Sequence, residues 1–136
     1  MTKALGKHLI AELWVREPHL LNDLELVRDT LLAASKCGGF TVLDLSSHTF
    51  SPHGVTAVVL LSESHMSIHT WPEHGYAAVD IFTCGGSPRK ALEEIERRLD
   101  VDRMEVRELD RGLLGQAPAR PPHSDRDRRV DLSRAV

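Results

Sequence analysis

The sequence has few cysteines, few aromatic residues and no excess of positive charge. Two cysteines, Cys37 and Cys84, cannot form the disulfide framework of a small secreted domain, and they fit a reducing compartment. Aromatic residues make up 4% of the chain and the formal net charge is -3. Because no basic run is interleaved with aromatic side chains, nucleic acid is not an expected partner.

Long apolar runs are also missing. No stretch approaches the roughly 20 residues that a membrane span requires, so no membrane association is expected. The first fifteen residues contain neither the apolar core nor the small-residue cleavage site of a signal peptide. With 136 residues, 41% hydrophobic and 27% charged, the sequence predicts one soluble cytoplasmic domain.

Hydrophobic spacing predicts two helices. In residues 18–39, apolar side chains recur at intervals of three and four, and Gly38 and Gly39 follow as a stop signal. The second helix is predicted to begin with Ser87 as its N-cap and Pro88 as its first residue. Its apolar stripe consists of Ala91, Leu92, Ile95 and Leu99.

Alternating or continuous apolar segments predict the strands, which are residues 5–15, 40–50, 54–64, 65–71, 76–84 and 103–109. The predicted fold class is α+β, a two-layer α/β sandwich whose antiparallel sheet carries both helices on one face. Residues 113–136 are rich in Pro, Arg and Asp, and they predict a disordered C-terminal tail. The folded domain is therefore assigned to residues 1–112.

The central stretch LLSESHMSIHTWPEHGYAAVDIFTCG, residues 60–85, concentrates reactive side chains in a predicted hairpin. A metal site formed by His65, His69, His74 and Glu73 is one interpretation. In a strand, however, residues four apart are separated by roughly 13 Å, which one metal ion cannot bridge. We expect no metal.

Ordinary structural roles are the second interpretation of this stretch. Surface histidines and isolated cysteines are common, and such roles are assigned to His48, His53, His65, His74 and Cys37.

A serine that attacks its own backbone is the third interpretation. The Ser64 hydroxyl directly follows the Glu63 carbonyl, and attack on that carbonyl would convert the peptide into an ester. Removal of the Ser64 α-proton would then split the chain and leave a dehydroalanine, which rearranges and hydrolyses to a pyruvoyl group. Composition and spacing alone do not select this interpretation.

The motifs ESHMSIHTWPEHGYAAVDIFTCG, LGKHLIAE, FSPHGVTAVV and MEVRELDRG strongly resemble the bacterial and archaeal S-adenosylmethionine decarboxylases. The resemblance covers roughly residues 3–112. It implies a proenzyme whose covalent pyruvoyl group, generated from Ser64, forms a Schiff base with S-adenosylmethionine. It implies neither a metal nor pyridoxal phosphate, and it implies a decarboxylated product that serves spermidine synthesis.

The resemblance also assigns the processing residues. The bond Glu63–Ser64 corresponds to the cleavage site, which gives a β chain of residues 1–63 and an α chain of residues 64–136. His69 corresponds to the histidine that assists processing, and it is the candidate base for the elimination. Thr56 stands where the family usually has a serine, so its hydroxyl is kept but slower cleavage is expected.

The remaining roles concern the substrate. Cys84 matches the proton donor to Cα after carbon dioxide leaves. Glu73 matches the carboxylate that binds the ribose hydroxyls, and Phe50 matches the aromatic side chain that stacks on adenine. Trp71 is a candidate for contact with the sulfonium, and core packing explains it equally well.

Strand geometry adds a constraint. Five residues from Ser64 to His69 span about 16 Å, and the odd offset predicts opposite sheet faces. A two-fold homodimer resolves this, with Ser64 and Cys84 of one protomer facing Thr56, His69, Phe50 and Glu73 of the other. The resemblance implies the same shared sites.

Two alternatives stay open. A pyruvoyl-dependent arginine or ornithine decarboxylase of the same family would share the cleavage chemistry, although Phe50 and Glu73 favour a nucleoside substrate. An uncleaved, non-catalytic paralogue is the other alternative, and Thr56 is its best support.

Overall fold

The computed structural model describes residues 3–115. In that range the elements are β1 (Lys3–Val15), α1 (Leu24–Cys37), β2 (Val42–Thr49), β3 (Val55–Leu61), β4 (Ser64–Trp71), β5 (Tyr76–Thr83), α2 (Pro88–Arg98) and β6 (Val101–Leu114). Two short 3₁₀ turns, Pro18–Asn22 and Pro72–His74, complete the set in this part of the chain. The strands form one antiparallel sheet in the order β2-β3-β4-β5-β1-β6. The predicted α+β fold class is confirmed.

Both helices pack on one face of the sheet. Alternate residues of β1, β3, β4 and β5 point towards them, and the buried set includes Leu9, Leu13, Val59, Ile68 and Ile81. Helix α1 contributes Val27 and Leu31, and α2 contributes the predicted stripe of Ala91, Leu92, Ile95 and Leu99. This burial of apolar surface is the main stabilising contribution to the fold.

The opposite face, which we call the open face, carries the other alternate residues. It mixes apolar and polar side chains, and several apolar ones are exposed: Val58, Leu60, Trp71 and Leu109. Since the described helices all lie on the other side, this face is not covered within residues 3–115. The candidate site residues discussed below lie on the open face or at its ends.

The first helix begins later than predicted. Residues 18–22 form a 3₁₀ turn, and α1 starts at Leu24. Asp23 has extended backbone angles and its carboxylate accepts a hydrogen bond from the Leu26 N–H at 3.0 Å. This N-cap interrupts the helical spacing that the apolar residues suggest. Ser87 and Pro88 begin α2 as predicted, with the Ser87 hydroxyl accepting from the Lys90 N–H.

Two strand boundaries also differ from the prediction. The segment 54–64 is not one strand, because the chain reverses at Ser62 and Glu63 and Ser64 already belongs to β4. The last strand reaches Leu114, two residues beyond the predicted domain boundary. The predicted tail lies outside the described residues from position 116 onward.

Candidate active site

The turn between β3 and β4 is fixed by two hydrogen bonds to the residue before β2. The Ser62 N–H donates to the Thr41 carbonyl, and the Thr41 N–H donates to Oε1 of Glu63, both at 2.9 Å. Because the strands on either side are paired in register, the turn has little freedom to move. The Glu63 carboxylate therefore stabilises this turn through its hydrogen bond to Thr41.

The peptide bond between Glu63 and Ser64 is held at one end and strained at the other. The Cys84 N–H donates to the Glu63 carbonyl at 2.9 Å. Ser64 has φ of +141°, a value that L-residues rarely adopt. Backbone strain of this kind is worth about 1–3 kcal/mol and is often found at functional sites. The donor at the carbonyl could also stabilise negative charge that develops there during nucleophilic attack.

The hydroxyl of Ser64 lies 3.0 Å from Nδ1 of His65, its neighbour in sequence. His65 is on the open face, where its ring lies 6.0 Å from that of Phe82. Regular alternation would have put Ser64 on the helix face, and the predicted opposition of Ser64 and His69 rested on that alternation. The positive φ breaks the alternation at this residue, so this part of the prediction is wrong.

Ser64 and Cys84 line the same cleft of roughly 530 Å³, which we call the serine cleft. The cleft is also lined by Ser62, Glu63, Phe82 and Arg111, among others. Cys84 is a free, exposed cysteine at the end of β5. The structure thus places the predicted cleavage bond beside the predicted proton donor.

A second cavity of roughly 390 Å³ lies at the other end of β4, and we call it the histidine pocket. It is lined by Phe50, His53, Thr56, His69, Trp71 and Glu73 among others. Thr56 and His69 are cross-strand partners on β3 and β4, and Oγ1 of Thr56 lies 2.9 Å from Nδ1 of His69. The structure therefore brings together five of the residues predicted to process the chain and bind substrate.

Glu73 is fixed in this pocket by a histidine. It lies in the 3₁₀ turn between β4 and β5, and its Oε2 is 2.5 Å from Nε2 of His53. Desolvation acts to raise the pKa of Glu73, but hydrogen bonds from its own backbone and from His53, together with the charges of His53 and His74, leave that pKa below its ordinary value. Glu73 is consequently a carboxylate at neutral pH.

The two aromatic candidates are accessible to a ligand. Phe50 is 51% exposed and meets the ring of His48 edge-on at 4.7 Å. Trp71 is 42% exposed and lies 5.4 Å from the ring of Tyr76. Both rings border the pocket that contains Glu73, and neither is part of the buried core. Packing in the core is thus excluded for Trp71.

The serine cleft and the histidine pocket do not merge. Ser64 and His69 are five residues apart on one strand, a separation of about 16 Å at the usual rise. Within residues 3–115 no three His, Cys, Asp or Glu side chains are grouped so that they could hold a metal ion.

Two histidines that were assigned structural roles from the sequence contact residues that line these cavities. His65 contacts the Ser64 hydroxyl, and its adjacency to Ser64 was the signal that could have suggested it. His53 contacts a residue 20 positions away, which no local pattern reveals.

A profile described as S-adenosylmethionine decarboxylase matches residues 7–112. The chain belongs to this family. The S-adenosylmethionine decarboxylase proenzyme of Methanococcus maripaludis strain S2 is 48% identical over 114 residues, which cover 82% of this chain and 93% of the relative. The proenzyme of Thermotoga petrophila is 41% identical over 125 residues, covering 89% and 96%.

A solved structure agrees with this family membership. The crystal structure of the adenosylmethionine decarboxylase from Aquifex aeolicus matches with a TM-score of 0.78 and 37% identity. The match covers 87% of this chain and 99% of the other. Among the described residues of this family member, no helix has the length and apolar character needed to cross a membrane.

Proposed function

We propose that this chain is a self-processing, pyruvoyl-dependent S-adenosylmethionine decarboxylase. The observation that carries the proposal is the peptide bond between Glu63 and Ser64, which is strained at Ser64 and held at its carbonyl by Cys84. A bond prepared in this way, in a cleft that also contains a free thiol, suits a proenzyme that cleaves itself. The proenzyme names of the relatives support the same conclusion.

Cleavage starts with attack of the Ser64 hydroxyl on the Glu63 carbonyl. The amide becomes an ester, and the Cys84 N–H stabilises the negative charge on the carbonyl oxygen as the new bond forms. Loss of the Ser64 α-proton, for which His69 is the base, then eliminates the β chain of residues 1–63 as a carboxylate and leaves a dehydroalanine at residue 64. The dehydroalanine rearranges to an imine, and water hydrolyses the imine with release of ammonia. Residue 64 thereby becomes the N-terminal pyruvoyl group of the α chain, residues 64–136.

The residues around Ser64 fit this group. It would lie in the serine cleft, which has a volume of roughly 530 Å³ and is also lined by Cys84. When present, the pyruvoyl carbonyl supplies an electrophile that accepts the electron pair left when carbon dioxide departs. Cys84 lines the same cleft, and its thiol donates the proton that Cα of the substrate then needs.

The histidine pocket suits the nucleoside part of S-adenosylmethionine. The Glu73 carboxylate, held by His53, can accept hydrogen bonds from the ribose hydroxyls. The exposed ring of Phe50 can stack on adenine, and Trp71 offers an aromatic face to the positive sulfonium. A plain amino acid would use neither the stacking ring nor the ribose acceptor, so arginine or ornithine is the less suitable substrate. Spermidine synthesis in the cytoplasm is the use we propose for the product.

A homodimer would combine the two cavities. We assign one serine cleft and the partner's histidine pocket to each active site, because about 16 Å of strand separates them within one chain. The exposed apolar residues of the open face, Val58, Leu60 and Leu109, are suitable for the interface. A two-fold arrangement would give two equivalent sites.

Intact mass under denaturing conditions tests the proposal. We expect two fragments that separate at Glu63–Ser64, with the C-terminal one lighter by one ammonia than a fragment that begins with serine. Purified protein is then offered S-adenosylmethionine, arginine or ornithine, and released carbon dioxide is counted. A single uncleaved chain, or turnover of only arginine or ornithine, would contradict the proposed function.

A further inference from the structure

We propose that His65 is the general base that activates Ser64 for the first step of self-cleavage, the shift from amide to ester. This inference rests on the proposed function. It divides the two proton transfers of processing between two histidines, with His65 acting on the hydroxyl and His69 acting later on the α-proton.

The contact between Ser64 and His65 carries the inference. Oγ of Ser64 and Nδ1 of His65 are 3.0 Å apart, which is within the range for direct proton transfer. The contact depends on the positive φ of Ser64, because consecutive residues of a regular strand point to opposite faces. The unusual backbone conformation thus brings the hydroxyl to the side of the sheet where His65 lies.

The imidazole of His65 is also oriented by its surroundings. His65 is partly buried on β4, and its ring packs beside that of Phe82 on the neighbouring strand β5. On the other side of β5, the ring of His8 on β1 lies 5.7 Å from the Phe82 ring. Arg111 lies over the same Phe82 ring at 5.4 Å. The neutral imidazole is the form that accepts a proton from Ser64.

His69 is not available for this first step within the same chain. Its Nδ1 lies 2.9 Å from the Thr56 hydroxyl, and it is in the histidine pocket about 16 Å along β4. A partner's His69 would have to displace a contact that His65 already makes. His65, which contacts the Ser64 hydroxyl oxygen in the folded chain, is therefore the catalytic residue for this step.

The chemistry of the step is balanced. Nδ1 of neutral His65 takes the proton from Oγ of Ser64 while Oγ bonds to the carbonyl carbon of Glu63. The carbon–nitrogen bond then breaks, and the proton passes from His65 to the Ser64 nitrogen. The products are an ester and a free amine, so the step consumes no proton, water or oxidant.

Trapping the ester with hydroxylamine tests the assignment. Full-length His65→Asn, His65→Ala and His69→Ala chains are produced beside the unaltered chain, and cleavage is followed by intact mass with and without hydroxylamine. In His65→Asn an amide can still occupy the position of Nδ1, but it cannot act as a base. We expect both His65 variants to form ester at least about 100-fold more slowly, the range for loss of a general base.

His69→Ala should behave differently, because it is blocked after the shift. It should accumulate an ester that hydroxylamine splits at Glu63, while neither His65 variant does so. His19→Asn, a substitution at an exposed histidine far from Ser64 in sequence, is the matched control and should cleave like the unaltered chain. Thermal unfolding of each variant checks that it folds.

Two results would overturn the inference: cleavage of His65→Asn at the unaltered rate, or an ester trapped in that variant as readily as in His69→Ala. Failure of the proposed function looks different, since the unaltered chain would then stay intact and yield no hydroxylamine-sensitive bond.

Discussion

The serine cleft and the histidine pocket lie at opposite ends of one strand and are constructed in different ways. In the serine cleft, backbone hydrogen bonds fix the turn and the carbonyl of Glu63, and Ser64 carries the strain. In the histidine pocket the fixed elements are side-chain pairs, Thr56 with His69 and His53 with Glu73.

The difference corresponds to the two tasks of the proposed function. Breaking a peptide bond requires that the backbone itself be positioned and strained, and a backbone hydrogen bond to the carbonyl does this directly. Recognising a nucleoside requires side chains whose charge and orientation are set in advance. Under the proposed function, a single chain therefore contains both cavities that an active site needs, but the two cavities are separated along β4.

Mixing two inactive chains tests the separation and has the largest expected effect. Ser64→Ala and His69→Ala chains should each remain uncut alone, the first without a nucleophile and the second without the base of the elimination. In a mixed dimer, Ser64 of one chain meets the intact His69 of the other, so a fraction of the His69→Ala chains should be cleaved. If co-expressed chains stay intact while forming dimers, each site is made by one chain. Dimers in which both chains carry Ser64→Ala are the control.

Replacing Cys84 by alanine should separate cleavage from decarboxylation. The alanine retains the backbone N–H that holds the Glu63 carbonyl, so the chain should still split. Decarboxylation should fall about 10²- to 10⁴-fold, since the proton donor is gone. Intact mass and carbon dioxide release measure the two steps on one sample. If cleavage and decarboxylation fell by the same factor, Cys84 would act by supporting the turn at Glu63 and not through its thiol. Cys37→Ala, on α1, is the control and should change neither.

The histidine pocket should determine KM. Replacing Glu73 by glutamine should raise KM for S-adenosylmethionine about 10- to 100-fold, the usual cost of a charged hydrogen bond, with a smaller effect on kcat. Initial rates of carbon dioxide release over a range of substrate concentrations would measure this. A fall in kcat at unchanged KM would place Glu73 in the chemistry and not in binding.

The pH dependence of KM follows from the lowered pKa of Glu73. The carboxylate loses its charge only as the pH falls through that lowered pKa, so KM should rise on the acid side. His53→Gln removes a hydrogen bond and a positive charge that lower the pKa, so the rise should begin at higher pH in this variant. An unchanged profile would mean that the contact between His53 and Glu73 is not maintained in solution.

Thr56→Ser should have a modest effect on processing. The hydroxyl that contacts Nδ1 of His69 is kept and one methyl group is removed. Such a change alters a barrier by about 1 kcal/mol at most, so cleavage should accelerate by no more than about fivefold. Thr56→Val keeps the shape but loses the contact and should cleave more slowly than the unaltered chain. The time course of fragment appearance measures both, and equal rates in all three chains would remove Thr56 from the mechanism.

Much of the fold could be predicted because its signals are local. Alternation in the strands and the Ser87–Pro88 start of α2 depend on near neighbours in sequence. The start of α1 was misplaced, since the spacing of apolar residues does not reveal that Asp23 caps the helix. The turn at Ser62 was missed because polar residues there fit the end of a strand equally well.

The site was predictable only through the resemblance, and even then in part. The motif names Ser64, His69 and Cys84, but it does not indicate which of them share a cavity. The contact between Ser64 and His65 contradicts strand alternation, and it exists because Ser64 has positive φ. The pair His53 and Glu73 depends on the register of β3 and β4, which long-range packing decides.

Thr83 was also not singled out from the sequence, and it gives the smallest expected effect. Its side chain is buried on β5 directly opposite Ser64, and its hydroxyl has no hydrogen-bond partner within the described residues. A buried unpaired hydroxyl destabilises the fold, so Thr83→Val, which keeps the shape, should stabilise it by about 1 kcal/mol. For a domain of this size that is a rise in Tm of about 4 °C. Thr83→Ser, which keeps the hydroxyl and loses a methyl group, should unfold at a lower temperature. A lower Tm for Thr83→Val would mean that the hydroxyl finds a hydrogen-bond partner in solution.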